Sequence, residues 1–238
     1  MSPISPSASW PREIAAILPA AGRGERAGSG ELKQFRPIRG VPMLLRAIRP
    51  FAAHPRIGEI VVALPADVLE DLPAWLTDLA GGRLRLVAGG RTRTESVLAG
   101  LRALSPEIKG VVIHDGARPF VSPEVITDVL EHVAAGRSAV AAVPVADTLK
   151  RSDPGGTRVF ETLPRRGLWR AQTPQGFVRA TLEQAYRLWS DNGGTEATDD
   201  AALVEALGLP VELVADRTTN LKITTADDFR LAEALAAP

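Results

Sequence analysis

The sequence predicts an α/β fold: an open, mostly parallel, Rossmann-like twisted sheet with helices on both faces and a protruding β-hairpin arm. Three observations predict it. Short β-branched runs alternate with stretches of helical period, which is typical of strands joined by covering helices. The alternation is broken once, at Ala146–Arg166, by a turn-rich segment. The length of 238 residues is that of one large domain.

The first part of the chain repeats a strand and a helix. Strands are predicted at Ile14–Pro19, Ile57–Leu64, Arg83–Ala88, Lys109–His114 and Ser138–Val143. Helices are predicted at Val41–Ala53, Asp67–Leu79, Thr94–Leu104 with Thr94 as cap, and Val125–Ala135. The last of these follows a strong start signal, because Ser122 offers a capping hydroxyl and Pro123 a preset first helical residue.

The segment Ala146–Arg166 predicts a β-hairpin that leaves the sheet. Turn residues Asp153–Gly156 precede a β-like run at Arg158–Leu163. A hairpin with no core of its own is marginally stable in water. We therefore expect this arm to dock on a second copy of the chain, which would make the protein a homodimer.

The remainder of the chain returns to the α/β pattern. Predicted helices are Arg179–Asp191 and Asp199–Ala206, predicted strands are Val211–Ala215 and Asn220–Thr224, and a last helix runs from a Thr225 cap to about Ala236. Residues 1–12 are rich in Ser and Pro and are expected to be a disordered lead-in, with residues 13–238 forming a single domain.

Composition excludes several function classes. Lys+Arg 28 balances Asp+Glu 28, which disfavours a nucleic-acid-coating surface. With Cys 0 and three widely spaced His, neither a disulfide framework nor a zinc motif is available, so any metal must have oxygen ligands. Since no apolar run approaches the ~20 residues that span a bilayer and no signal peptide is evident, no membrane association and a cytoplasmic location are expected.

The loop after the first predicted strand is the most informative segment. Its glycines, Gly22 and Gly24, let backbone N–H groups approach phosphate oxygens. With Ala27 they also fit a permissive dinucleotide fingerprint, but that fold needs an acid about 20 residues on for the ribose. No Asp or Glu lies between Glu31 and Glu59. A dehydrogenase is therefore disfavoured. A plain strand-to-helix turn is the other alternative, but such a turn would not need the basic residues that are spaced along this loop.

Seven further motifs follow this loop in a fixed order. They are Lys33-Gln34, Gly89-Gly90 with Ser96-Val97-x-x-Gly100-Leu101, His114-Asp115-Gly116-Ala117-Arg118-Pro119, Thr148-x-Lys150-Arg151, Gly167-Leu168-Trp169-x-Ala171-Gln172-Thr173-Pro174-Gln175, Thr198-Asp199-Asp200 and Asn220-x-Lys222-x-Thr224. The succession resembles the 2-C-methyl-D-erythritol 4-phosphate cytidylyltransferases over nearly the whole chain. Two departures are small: Glu31-Leu32 stands where the family usually has a Pro before the Lys, and Gly116 replaces a frequent Ala.

The resemblance implies a reaction in which methylerythritol 4-phosphate attacks the α-phosphorus of CTP and releases pyrophosphate. Arg26 and Lys33 would hold the triphosphate, and Lys222 would bridge the two reacting phosphates. The expected cofactor is Mg²⁺, held mainly by the CTP phosphates and reached by Asp115. The implied CTP-binding residues are Pro19, Ala20, Ala21, Gly22, Gly24, Gly89, Gly90, Ser96, Asp115 and Gly116.

The implied contacts with the polyol phosphate are Asp115, Arg118, Thr148, Arg165, Thr173, Thr198 and Lys222. Two of these, Thr148 and Arg165, belong to the arm and would reach the partner subunit's site. By residue type alone, each cation is equally a solvated surface group. Asp115 with Arg118 could equally brace a turn, and His114 is expected to be structural.

The chemistry fits this inventory of side chains. A phosphate monoester has a second pKa near ~6, so it is already a nucleophilic dianion at neutral pH and needs no general base. What it lacks is relief from the repulsion of a second anion, which cations and backbone N–H groups supply. A ribitol 5-phosphate cytidylyltransferase and a non-catalytic CTP-binding protein remain alternatives. Because the chain stops at Pro238, a fused cyclodiphosphate synthase activity is expected to be absent.

Overall fold

A computed structural model describes residues 12–22, 32–79, 82–195 and 197–237 of the chain. Within them the strands are β1 (Ile14–Pro19), β2 (Pro37–Ile38), β3 (Val41–Pro42), β4 (Ile57–Leu64), β5 (Leu84–Ala88), β6 (Gly110–Ile113), β7 (Ser138–Pro144), β8 (Leu149–Ser152), β9 (Val159–Leu163), β10 (Trp169–Val178) and β11 (Val211–Ala215). The helices are α1 (Met43–Ala53), α2 (Ala74–Leu79), α3 (Arg93–Arg102), α4 (Pro123–Ala134), α5 (Arg179–Asp191), α6 (Asp200–Glu205) and α7 (Ala226–Leu235).

Seven of these strands form one sheet in the order β11-β7-β10-β6-β1-β4-β5. All neighbours are parallel except β10, which runs antiparallel to both β6 and β7. The predicted α/β class with a mostly parallel, twisted sheet is confirmed. The predicted lead-in falls almost entirely on residues 1–11, which lie outside the described residues.

Helices cover both faces of the sheet, because its central strands carry apolar side chains on both faces. In β1, Leu18 packs with α1 and α4 on one face, whereas Ile17 packs with α3 and α5 on the other. Alternate side chains of a strand point to opposite faces, so both sets of side chains leave water. A smaller cluster under α7 joins Met43, Ile223 and Phe229 at the carboxyl edge of the sheet.

The predicted local start signals are largely confirmed. Ser122 accepts a hydrogen bond from the N–H of Val125 at the start of α4, and Thr225 forms a reciprocal capping box with Asp228 at the start of α7. The predicted cap of α3 is wrong by two residues. Thr92, not Thr94, caps that helix in a box with Glu95, and Thr94 is buried inside the first turn.

Two predicted elements are wrong for identifiable reasons. The helix predicted over Asp67–Leu79 is divided into a 3-10 turn at Ala66–Glu70 and the short α2, because Pro73 lacks an N–H and limits the residue before it. The strand predicted at Asn220–Thr224 is irregular chain. Its backbone bonds side chains instead of a strand, since the Asn220 carbonyl accepts from Arg118 and from Gln172.

One central strand, β10, has no counterpart in the sequence prediction. Its first part is disrupted: between the pairs Ala171–Ala142 and Gln175–Val140, three residues of β10 face one residue of β7. This bulge directs Gln172 and Thr173 away from a regular ladder and toward the site described below. The arm is confirmed as a hairpin of β8 and β9, which pair with each other in a separate sheet.

Candidate active site

A cavity of about 400 Å³ opens at the carboxyl ends of the parallel strands. This is the edge at which open α/β sheets bind their ligands. Residues from the chain after β1, from the corner between β5 and α3, from the chain after β6 and from the segment before α7 meet there. The described lining is Pro19, Ala20, Ala21, Gly22, Lys33, Gln34, Met43, Gly90, Arg91, Thr92, Arg93, Ser96, Asp115, Gly116, Ala117, Lys222 and Thr224.

The wall that follows β1 is held in place by the 3-10 turn at Lys33–Phe35. The buried Gln34 donates from its side-chain amide to the carbonyl of Ala20 at 2.9 Å. Lys33 donates from Nζ to the carbonyl of Ile223 at 2.9 Å. One short turn therefore ties the glycine-containing loop to the segment that carries Lys222. The predicted residues Gly24 and Arg26 lie outside the described residues.

The corner between β5 and α3 packs closely against the chain after β1. A Cβ on Gly89 would lie 2.4 Å from the Cβ of Ala21, so only glycine permits this approach. Ser96 accepts a hydrogen bond from the N–H of Gly90 at 3.2 Å and donates to the carbonyl of Thr92 at 2.9 Å. The corner thus presents a fixed edge of backbone groups, which suits a flat heterocyclic base.

Asp115 is the centre of the charge distribution. Its carboxylate accepts from Arg93 at 2.8 Å on one oxygen and lies 2.9 Å from Lys222 Nζ on the other. Burial alone would raise the pKa of this carboxyl, but Arg93 and Lys222 outweigh burial and hold the pKa well below its usual range. Asp115 is therefore an anion at neutral pH that keeps Lys222 pointing into the cavity.

Arg93 extends this cluster into the core. Its second guanidinium nitrogen contacts Asp200 at 2.7 Å, and the Tyr186 hydroxyl donates to the other Asp200 oxygen at 2.6 Å. Burial alone would lower the pKa of Arg93, but Asp200 and Asp115 reverse that effect and raise it. Sequence reasoning missed Arg93 as a site residue, because an arginine at the start of a helix reads as a surface charge.

Behind Asp115 lies a hydrogen-bonded layer that faces the core. The N–H of Asp115 donates to the Thr173 hydroxyl at 3.0 Å, and that hydroxyl lies 3.0 Å from His114 Nδ1. His114 Nε2 lies 2.9 Å from the carbonyl of Arg118. Burial lowers the pKa of His114 to about 4, so the ring is neutral near pH 7.

Arg118 lies in the same layer beside Asp115. Its guanidinium donates to the carbonyl of Asn220 at 2.7 Å, and its Nε is 3.9 Å from the Asp115 carboxylate. The side-chain amide of Asn220 donates to the carbonyl of Thr173 at 2.7 Å. Burial lowers the pKa of Arg118, although Asp115 opposes that effect. The chain after β6, the bulge of β10 and the segment before α7 are thereby joined.

The predicted site residues that the structure describes divide into three groups. Ten line the cavity: Pro19, Ala20, Ala21, Gly22, Lys33, Gly90, Ser96, Asp115, Gly116 and Lys222. Gly89, Arg118 and Thr173 lie directly behind these. Thr148, Arg165 and Thr198 are exposed and lie outside the cavity lining. Of the lining residues that the prediction gave no role, Gln34 stood in a quoted motif, whereas nothing in the sequence pointed to Arg91.

The charge of the cavity is chemically informative. Its described lining contains the cations Lys33, Arg91, Arg93 and Lys222 against a single carboxylate, that of Asp115. Such a wall can neutralise a polyphosphate that lies over backbone N–H groups. The described residues contain no cluster of three or more His, Cys, Asp or Glu that could hold a metal. No helix in the described ranges has the length and apolar character needed to cross a membrane.

Comparisons with known proteins agree with this geometry. A family model described as IspD, 2-C-methyl-D-erythritol 4-phosphate cytidylyltransferase, matches residues 14–237. A cytidylyltransferase of that name from Frankia casuarinae is 44% identical over 225 residues, 94% of this chain and 81% of the relative. The crystal structure of the enzyme of the same name from Thermus thermophilus is 38% identical, with a TM-score of 0.78, and the match covers 94% of this chain and 98% of that one.

A longer relative is also similar. A bifunctional enzyme IspD/IspF from Desulfotalea psychrophila is 41% identical over 219 residues, or 92% of this chain. This chain spans 55% of the length of that enzyme. The match therefore concerns about half of the bifunctional protein.

Proposed function

The chain belongs to the 2-C-methyl-D-erythritol 4-phosphate cytidylyltransferase family, and from that membership we propose what its cavity does. The protein transfers the cytidylyl group of CTP to 2-C-methyl-D-erythritol 4-phosphate. The products are 4-diphosphocytidyl-2-C-methyl-D-erythritol and pyrophosphate, in the non-mevalonate route to isoprenoid precursors. The observation that carries the proposal is the meeting of Pro19–Gly22, Lys33 and Lys222 at one cavity.

The reaction joins two anions. An oxygen of the substrate phosphate forms a bond to the α-phosphorus, and the bond from that phosphorus to the bridging β-phosphate oxygen breaks. The bonding electrons leave with pyrophosphate, so no proton has to be removed from the nucleophile. The protein must offset the mutual repulsion and the charge that grows on the equatorial oxygens, which is electrostatic work for fixed cations and N–H donors.

The cations are already oriented for that work. Lys33 is directed across the cavity by the Ile223 carbonyl, and Lys222 is directed by Asp115. When phosphate oxygens arrive, each ammonium can exchange a protein acceptor for a more highly charged one. Lys222 then bridges the α-phosphate and the incoming phosphate, while Lys33, with Arg26 by family resemblance, holds the triphosphate.

Mg²⁺ is proposed as the cofactor, brought mainly by the triphosphate. Asp115 is the one carboxylate of the described lining, and both its oxygens already contact cations. The protein therefore offers few metal ligands, which fits an ion held mainly by the phosphates of CTP. Mg²⁺ commonly binds through one or two carboxylates plus substrate phosphates and water. When bound, the ion supplies further neutralisation of phosphate charge.

Pyrophosphate release tests the proposal. Purified protein is mixed with CTP, Mg²⁺ and methylerythritol phosphate, beside the variants Lys33→Ala and Lys222→Ala. Lys109→Ala is the matched control, since this lysine is 73% exposed, pairs with Glu13 and lies outside the cavity lining. We expect the wild type and K109A to release pyrophosphate and the two cavity variants to lose at least a hundredfold in rate. Wild-type release no greater than that of K33A would refute the proposal.

The same assay separates the alternatives. Methylerythritol phosphate, and not ribitol 5-phosphate, is the proposed acceptor because the relatives above are named for it. Faster turnover of ribitol 5-phosphate would reverse that choice. CTP binding without turnover of either polyol phosphate would indicate a non-catalytic CTP-binding protein. A cytoplasmic location is part of the proposal because CTP must be supplied to the site.

A homodimer through residues 146–166 is also proposed. The hairpin of β8 and β9 leaves Val159 62% and Phe160 71% exposed, and two-stranded hairpins are marginal alone. Leu168 and Trp169 continue this apolar surface at the root of the arm. A second copy that covers these side chains would bury area that water otherwise opposes. Thr148 and Arg165 would then contact polyol phosphate in the partner subunit's cavity.

Oligomeric state and complementation test the dimer. Phe160→Asp is expected to yield monomers in light scattering, whereas Leu213→Asp, which changes a leucine that is 50% exposed on β11, keeps the wild-type mass. Co-expressed Lys33→Ala and Arg165→Ala subunits should regain about a quarter of wild-type activity, since half of the dimers are mixed and hold one complete site. A monomeric wild type, or no regain in demonstrated mixed dimers, would contradict the arrangement.

A further inference from the structure

We propose that His114 is a positioning residue, whose imidazole fixes the turn that carries Asp115 and Arg118 by directing the hydrogen bonds at both of its ends. The inference rests on the proposed function, because these two side chains are expected to contact the polyol phosphate. It goes beyond that function by giving a kinetic role to a side chain that touches no substrate.

The contacts place His114 between both ends of this turn. The ring is fully buried directly after β6, and it lies 5.0 Å from the ring of Phe51. Its Nε2 reaches the carbonyl of Arg118, and its Nδ1 reaches the hydroxyl of Thr173. That hydroxyl in turn accepts from the N–H of Asp115. One ring therefore supports the first residue of the turn through Thr173 and the last residue directly.

The partners determine the direction of every bond. A carbonyl only accepts, so Nε2 must carry the proton that points to Arg118. The Asp115 N–H donates to the Thr173 oxygen, and Nδ1 at 3.0 Å is the acceptor that the structure places beside that hydroxyl, so Nδ1 accepts the hydroxyl proton. The Asp115 N–H thus donates to Thr173, the Thr173 hydroxyl donates to His114, and His114 donates to the carbonyl of Arg118.

This order cannot be reversed cheaply. With the proton on Nδ1 instead, the lone pair of Nε2 would face the carbonyl oxygen of Arg118 at 2.9 Å, and two acceptors would meet in a fully buried site. The charged groups that face the ring are Asp115, whose charge favours the imidazolium, and Arg118, whose charge disfavours it. The tautomer is selected by the partners of the two nitrogens, a carbonyl at Nε2 and a hydroxyl at Nδ1.

The expected kinetic signature is selective. Most of the CTP-binding residues, in the loop at Pro19–Gly22, at Lys33 and in the Gly89–Ser96 corner, are held by other contacts, so CTP binding should change less than polyol phosphate binding when His114 is altered. Asp115 and Arg118 would lose their alignment. The KM for the polyol phosphate should therefore rise and kcat should fall, whereas a loss of overall packing would affect both substrates alike.

Three variants separate the two hydrogen bonds. A glutamine amide can replace Nε2 as donor to Arg118, and an asparagine oxygen can replace Nδ1 as acceptor from Thr173, so His114→Gln and His114→Asn each keep one bond. We expect each to lose about tenfold in kcat/KM for the polyol phosphate, and His114→Phe to lose about a hundredfold. His132→Gln, on the outer face of α4, is the control that retains wild-type kinetics.

A double variant and a spectrum complete the test. His114→Gln with Thr173→Val should be no slower than Thr173→Val alone, because both remove the same bond; multiplied losses would overturn the proposal. Nitrogen-15 spectra of the wild-type histidines at pH 7, assigned with H114Q, should show a neutral ring protonated on Nε2. A ring protonated on Nδ1 or on both nitrogens would overturn it. This readout needs no turnover, so it stands apart from a failure of the proposed function itself.

Discussion

The ion cluster around Arg93 yields a prediction for both stability and catalysis. Its guanidinium is shared by Asp115 at 2.8 Å and Asp200 at 2.7 Å, and both carboxylates are buried. Arg93→Met retains the aliphatic stem and removes the charge. Asp115 would keep Lys222 as a counterion, but the carboxylate of Asp200 would keep, among its partners in the described part of the chain, the hydroxyl of Tyr186 and no cation.

The cost follows from leaving a charge buried without its partner. Removing one member of a buried ion pair typically destabilises a protein by about 3–5 kcal/mol. We expect the lower end, about 3 kcal/mol, because Asp115 remains paired with Lys222. For a domain of this size each kcal/mol lowers the melting temperature by about 2–4 °C, so R93M should melt roughly 6–12 °C lower. Its kcat/KM should fall at least tenfold, since one carboxylate oxygen of Asp115 loses the guanidinium that orients it at 2.8 Å.

A compensating substitution distinguishes charge from packing. In Arg93→Met with Asp200→Asn, the neutral amide needs no counterion and can still accept from Tyr186. Urea denaturation should therefore show that the double variant regains more than half of the lost free energy of unfolding. Activity should stay low, because the carboxylate of Asp115 still lacks the Arg93 guanidinium. A double variant as unstable as R93M, or one whose losses simply add, would refute the reasoning.

Three further predictions concern single positions. The pKa of His114 is about 4 in the folded protein and ~6.5 in the unfolded chain, so between these pH values the unfolded chain binds one more proton than the folded protein. The free energy of unfolding of the wild type should therefore rise with pH across this window. Urea denaturation should show a rise up to about 3 kcal/mol larger than in H114Q. Gly89→Ala should raise the KM for CTP about tenfold, since the new Cβ would lie 2.4 Å from the Cβ of Ala21. Gly155→Ala in the arm turn is the control, because the atoms nearest to its new Cβ would be 3.8 Å away, and its KM should not change. Equal KM values for the two variants would contradict the proposed clash at Gly89. Thr92→Ala should cost about 1 kcal/mol of stability by removing the cap of α3, and an unchanged denaturation midpoint would count against that cap.

Features that depend on neighbouring residues could be predicted from the sequence. The strand Ile14–Pro19, the Ser122 cap and the Thr225 capping box all follow from local periodicity or local hydrogen bonding. The true cap of α3 was also readable, because Thr92 stands three residues before Glu95 in the spacing of a capping box. Preferring Thr94 overlooked that reciprocal pair.

Features that depend on distant residues could not be predicted in this way. The first half of strand β10 is interrupted by the polar residues Gln172 and Thr173, and its place in the sheet comes from pairing with β6 and β7. Asn220–Thr224 has the β-propensity of a strand, but its carbonyl at Asn220 is taken by side chains. Arg93 became a site residue only when folding brought Asp200 to it across 107 positions of sequence.

The direction of β10 has a mechanical consequence. Because it runs against its neighbours, it enters the sheet at the ligand edge, and the same strand joins Trp169 at the foot of the arm to Thr173 four positions later. Although the bulge interrupts this segment, its ends are covalently joined, so a shift at the foot of the arm has a path of four residues to the hydroxyl that supports Asp115. A contact that fixes the arm therefore also limits the movement of the residues that support Asp115.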